Sequence, residues 1–122
     1  MIYLASPYST PTTPRWSLHR RFEETEKATA ECFSRGFTVF SPIVYCHRLA
    51  ATYRLPREFE FWKYLNLEML DLCHQFWILT LPGWDESVGV RAEAQQARSK
   101  GRTIFLLNPK TYKITKGDAW ND

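Results

Sequence analysis

Short apolar runs alternate along this chain with longer stretches in which apolar residues recur every three or four positions. Ile2-Tyr3-Leu4-Ala5 reads as a first strand. A Pro/Ser/Thr-rich loop over 6–14 follows, and Thr13 as N-cap with Pro14 at the first helical position opens a helix. Its stripe is Leu18, Phe22, Thr25, Thr29, Cys32 and Phe33, and Gly36 closes it. Phe37-Thr38-Val39-Phe40 reads as a second strand that Ser41-Pro42 stops. Residues 43–57 read as irregular, with one short helical turn around 47–53. Residues 58–73 are helical, with Phe59, Trp62, Met69, Leu70 and Cys73 in phase. The run at 76–81 is a buried third strand. Val90, Ala94 and Ala97 share one face of a helix ending at Gly101, and Thr103-Ile104-Phe105-Leu106-Leu107 is a fourth strand. The polar tail over 108–122 reads as either a packed arm or a frayed end.

Helices between short, continuously apolar strands require a parallel sheet covered on both faces. The expected fold class is α/β, a Rossmann-like or flavodoxin-like three-layer sandwich with a small parallel sheet, spanning 1–107 with a tail at 108–122. Ligand-binding loops then lie beyond the strand carboxyl ends, after Ala5, after Phe40 and after Leu81.

Composition narrows the class. At 122 residues with 44% hydrophobic and 16% aromatic content, the chain is long enough for one folded core. A net charge of +3, scattered apart from Arg15, His19, Arg20 and Arg21, suits a phosphorylated small molecule and gives no case for a nucleic-acid polymer. Cys32, Cys46 and Cys73 have no metal-ligand spacing and read as inert buried thiols of a reducing cytoplasm. No signal peptide and no apolar run of membrane-spanning length is present, so no membrane partner is expected.

Glu93 is the most informative residue. It falls on the inward face shared by Val90, Ala94 and Ala97, where an unpaired carboxylate is costly. A strand, a turn, a helix and an inward acid together mark a candidate active site. Ser6-Pro7-Tyr8-Ser9 follows the first strand, where backbone N–H groups and hydroxyls meet phosphate or sugar; its alternative is a plain connection. Asn66 interrupts an apolar stripe and needs partners. His47 is the one histidine in an expected ligand-side loop; its alternative is a plain surface residue. Tyr8 and Trp84 either stack on a planar base or pack their loops. Ser87 and Gly89 open the Glu93 helix, whose free N–H groups favour an anion. A dinucleotide fingerprint, a Walker-type phosphate loop, paired metal ligands and a nucleophile-elbow serine are all missing from the sequence.

Three segments carry a resemblance: Ile2-Tyr3-Leu4-Ala5-Ser6-Pro7-Tyr8, Asn66-Leu67-Glu68-Met69-Leu70, and Ser87-Val88-Gly89-Val90-Arg91-Ala92-Glu93. Together they resemble the signature segments of the nucleoside 2-deoxyribosyltransferase superfamily, which includes deoxynucleoside 5′-monophosphate N-glycosidases. With Phe40-Ser41-Pro42-Ile43 and Leu81-Pro82-Gly83-Trp84, the string is similar to its DUF1937 branch. The resemblance implies Glu93 as the nucleophile on the anomeric carbon, no metal or organic cofactor, and a homodimer or homotetramer. Ser6 and Ser87 favour a nucleotide over a nucleoside, while Asn66 stands where many relatives have aspartate. The expected function is hydrolysis of the base–sugar bond of a (deoxy)nucleoside 5′-monophosphate. The alternatives are base exchange by a transferase and a nucleotide-binding sensor without turnover.

Overall fold

Four parallel strands and one antiparallel edge strand form a single sheet. In the computed structural model the elements are β1 (Ile2–Ala5), α1 (Arg15–Ser34), β2 (Val39–Phe40), α2 (Pro42–Tyr53), α3 (Phe59–Leu72), β3 (Gln75–Leu79), a 3₁₀ turn (Trp84–Glu86), α4 (Val88–Ser99), β4 (Thr103–Leu107) and β5 (Ile114–Lys116). It describes residues 1–9 and 13–117. The expectations for 10–12 of the first loop and 118–122 of the tail lie outside the described residues. The sheet order is β2-β1-β3-β4-β5, with Ile2 opposite both Val39 and Gln75, and Trp77 opposite Phe105. This is the expected three-layer α/β sandwich in its flavodoxin-like order, and the order reverses direction between β1 and β3.

Strand alternation fills both layers. Tyr3 and Ala5 face the helix pair α3 and α4, packing with Leu70, Phe76, Ile78, Val90 and Ala94. Ile2 and Leu4 point the other way, onto Ala28 and Cys32 of α1 with Trp77 and Leu79. Both faces are dry, so the strands read as continuous apolar runs rather than alternating ones. Full burial of a residue such as Leu4 or Ile78 contributes about 1.5–3 kcal/mol each. None of the described helices is long and apolar enough to cross a membrane.

Several local expectations shift. Pro14, extended at ψ 154°, occupies the N-cap of α1, one residue later than expected, so Thr13 precedes the cap. Phe33 is exposed although Cys32 beside it is buried, while Ala28 joins the buried face. The second strand is only Val39–Phe40. The largest correction is at 43–57. Ser41-Pro42 does not merely stop a strand; it starts α2, with Ser41 accepting the Val44 N–H at 3.2 Å and Pro42 in the first turn. The tail also contributes a strand: β5 pairs antiparallel with β4, Leu107 opposite Ile114.

Candidate active site

The carboxyl ends of β1, β2 and β3 open into one cavity of about 440 Å³. That is within the roughly 300–1,000 Å³ of small-molecule sites. Its walls come from the Ser6-to-Ser9 turn, the buried face of α2, the first turns of α3, and the Gly83-to-Glu93 segment. Gly83 makes the turn after β3 at φ 88°, a conformation that disfavours a side chain.

Glu93 lies at the inner end and is buried, as the helical spacing predicts. Ser87 caps α4, accepting the Val90 N–H at 3.2 Å, which fixes the helix and the acid two turns in. The Tyr3 hydroxyl donates to Glu93 Oε2. The Tyr3 ring is stacked on Phe76 at 5.6 Å and tilted against Phe40, so the hydroxyl has a fixed direction. The Asn66 amide, on the inward face of α3, is a second donor to the carboxylate. Burial pushes Glu93 up to about 7, and the hydrogen bonds from Tyr3 and Asn66 oppose that rise. Burial, then the charge and hydrogen bond of Glu93, hold Tyr3 well above the ordinary phenol range. Both donors are neutral. Burial and then the Glu93 charge push the Cys46 thiol up to about 11, which keeps it protonated at neutral pH.

The far part of the cavity is basic and hydroxylic. Arg21 and Arg57 reach it with Ser6, Ser9 and Ser87. Arg21 Nη1 donates to the Tyr8 carbonyl at 2.6 Å, tying α1 to the turn after β1. Two buried polar atoms, Arg57 Nε and Asn66 Oδ1, have no partner within the protein. Buried groups of this kind are normally satisfied, and both belong to residues that line the cavity. Arg57 precedes α3 without any pattern to flag it, whereas Arg21 belongs to the basic cluster visible in the sequence.

Of the residues singled out from sequence, Ser6, Pro7, Tyr8, Ser9, His47, Asn66, Ser87, Gly89 and Glu93 share this cavity. Trp84 does not. The 3₁₀ turn directs it against the core beneath α4, and the aromatic wall is Phe59 and Trp62 instead. The signal for those two was their spacing to Asn66 on one stripe of α3. Gly89 lies against Phe59, where an added Cβ would come within 3.4 Å of the ring. His47 belongs to a helix and not to a loop: it is buried on α2, stacked on Phe22 at 4.4 Å. Among the described residues no group of three His, Cys, Asp or Glu is placed to hold a metal ion. The three cysteines are free and buried.

A family model described as "Domain of unknown function (DUF1937)" matches residues 1–109. No curated protein matches the chain.

Proposed function

The chain belongs to the DUF1937 family, and we propose that it is an N-glycosidase that hydrolyses the base–sugar bond of a (deoxy)nucleoside 5′-monophosphate through a covalent glycosyl–Glu93 intermediate. The observation that carries the reading is the state of Glu93. It is a buried carboxylate inside a cavity, held by two neutral donors. Departure of a base from C1′ leaves an oxocarbenium-like positive charge. A fixed anion in a water-poor site stabilises that charge far more than it would in bulk water. The same oxygen then closes on C1′ as an ester, and water opens it. Tyr3 holds the carboxylate by Oε2 and so fixes its direction towards the sugar.

Phosphate recognition is supported by Arg21, Arg57 and the three serine hydroxyls, with the amino end of α4 adding its dipole. Phe59, Trp62 and Tyr8 supply aromatic surface for the base. Three buried free thiols fit a cytoplasmic setting. The homodimer or homotetramer that the resemblance implies has apolar surface available to it on the outer face of α3, where Phe61, Tyr64 and Leu72 are exposed. A sensor without turnover is the second reading, favoured by an amide at Asn66 beside the carboxylate rather than a second acid.

Chromatographic detection of free base, from a panel of nucleosides and their 5′-monophosphates, tests the proposal. Two charge-assisted contacts to phosphate predict a kcat/KM for monophosphates about a hundredfold or more above that for nucleosides. Arg57→Ala should remove most of that preference. Equal rates on both classes contradict the phosphate assignment, and tight nucleotide binding with no base released from any substrate favours the sensor.

A further inference from the structure

Breaking an N-glycosidic bond needs a proton for the departing base, and the groups touching Glu93 supply none. Asn66 is an amide. The Tyr3 hydroxyl is committed to the carboxylate. A second set of titratable groups starts at Tyr8 and His47 on the wall of the same cavity and has no part in the nucleophilic step. The Tyr8 hydroxyl is 2.6 Å from His47 Nδ1. His47 Nε2 is 3.4 Å from His19 Nδ1. His19 Nε2 is 3.8 Å from Glu23 Oε1, and both of those side chains are more than half exposed. Tyr8, His47 and His19 are thus within hydrogen-bond reach of one another in turn, and His19 meets solvent beside Glu23.

We propose that Tyr8 is the proton donor to the leaving base, and that His47 and His19 are positioning residues of a proton wire joining Tyr8 to the surface at Glu23. The proposal rests on the N-glycosidase reading. In the first step Glu93 attacks C1′ and the C1′–N bond breaks, its electron pair passing to the base. The base nitrogen takes the Tyr8 proton. The Tyr8 oxygen takes the proton on His47 Nδ1, His47 Nε2 takes the one on His19 Nδ1, and His19 Nε2 takes one from solvent, to which it returns it in the second step. In the second step water attacks C1′, and the C1′–O bond to Glu93 breaks with its pair returning to the carboxylate. The water proton goes to Tyr8, and each proton moves one place back outward. The wire therefore ends the cycle in the arrangement in which it began, with one group serving as acid and then as base.

The environment suits both roles. Burial, opposed by the Arg57 guanidinium, raises Tyr8, so at neutral pH it carries the proton it must give. Burial, then the charges of His19, Arg57 and Arg48, lowers His47 and keeps it neutral, with one nitrogen donating and the other accepting. Its ring is fixed by stacking on Phe22 and by the edge of Tyr8, which aligns both nitrogens with their neighbours.

Single-turnover base release from a purine deoxynucleoside 5′-monophosphate and from its 7-methyl counterpart tests this, because the 7-methyl base departs without a proton. Tyr8→Phe is expected to slow the first substrate by about 10²–10⁴-fold and the second by less than about tenfold. His47→Gln should show the same split, and it decides the matter if Tyr8→Phe fails to fold. Equal slowing of both substrates overturns the wire. Glu93→Gln separates the two levels of the argument. If it silences both substrates while Tyr8→Phe slows both alike, only the proton path falls. If Glu93→Gln keeps full activity, or the native protein releases no base, the glycosidase reading falls and takes the wire with it.

Discussion

Glu93→Gln is expected to lower base release by about 10⁴-fold or more, because a nucleophile that forms the covalent intermediate has no substitute. Gln keeps the size of the side chain and can still accept from the Tyr3 hydroxyl, so the cavity survives. What is lost is the charge facing C1′ and the oxygen that closes on it. No neighbour can take over: the Cys46 thiol is held protonated and Asn66 is not nucleophilic. Nucleotide binding should persist, since the phosphate side of the cavity is untouched. A loss of affinity with unchanged single-turnover rate would mean that Glu93 binds and does not react.

The same substitution should stabilise the fold at alkaline pH. Glu93 is raised from 4.5 to about 7, so the folded chain holds a proton that the unfolded chain releases. For a raised carboxyl, stability is complete below the ordinary carboxylate pKa. It falls as pH climbs and levels off above the folded pKa. A shift of about 2.5 units corresponds to roughly 3 kcal/mol at pH 8 and under about 1 kcal/mol at pH 5. Gln has no charge to desolvate, so Glu93→Gln should raise unfolding stability by about 3 kcal/mol at pH 8, on the order of 10 °C in Tm. The gain should shrink at pH 5. The other titrating groups are common to both proteins, and Tyr3 and Cys46, which feel the Glu93 charge, are held protonated at pH 8 chiefly by burial. Destabilisation at pH 8, or a gain independent of pH, would place the carboxylate in a satisfied ionic setting. The trade of stability for a charged group in a dry cavity is the pattern of a functional residue.

Where periodicity decides a side chain's direction, the sequence is readable. Val90, Ala94 and Ala97 define the inner face of α4, and Glu93 falls on it as the spacing requires. Asn66 is legible for the same reason on α3. The strands β1, β3 and β4 stand out because burial on both faces leaves them polar only at the first residue of β3 and β4, Gln75 and Thr103. Elsewhere the rule gives out. In α2, Ile43, Cys46, His47 and Ala50 do carry helical spacing, but the helix lacks a glycine stop. It ends on Arg54 in the left-handed region at φ 55°, which no composition rule marks. Reading His47 as a loop residue follows from that one missed helix. In β5 only Ile114 is apolar and half-buried, and the strand exists through pairing with β4, a non-local cause. Trp84 stands in a turn, where one bend decides between cavity and core, and the core offers more apolar contact. Arg57 became visible as a site residue only through its place on the cavity wall, with a buried Nε that has no partner within the protein. The relay from Tyr8 to Glu23 spans α1, α2 and the first loop, so it depends on tertiary approach alone.

The covalent step can be observed directly. A 2′-fluoro arabinonucleoside 5′-monophosphate, whose fluorine slows both formation and breakdown of a glycosyl ester, should accumulate on the protein. Intact mass and peptide mapping should then find one fluorinated sugar phosphate per chain, on the peptide that contains Glu93. Base release with the protein left unmodified, or a label on any other residue, would contradict the account.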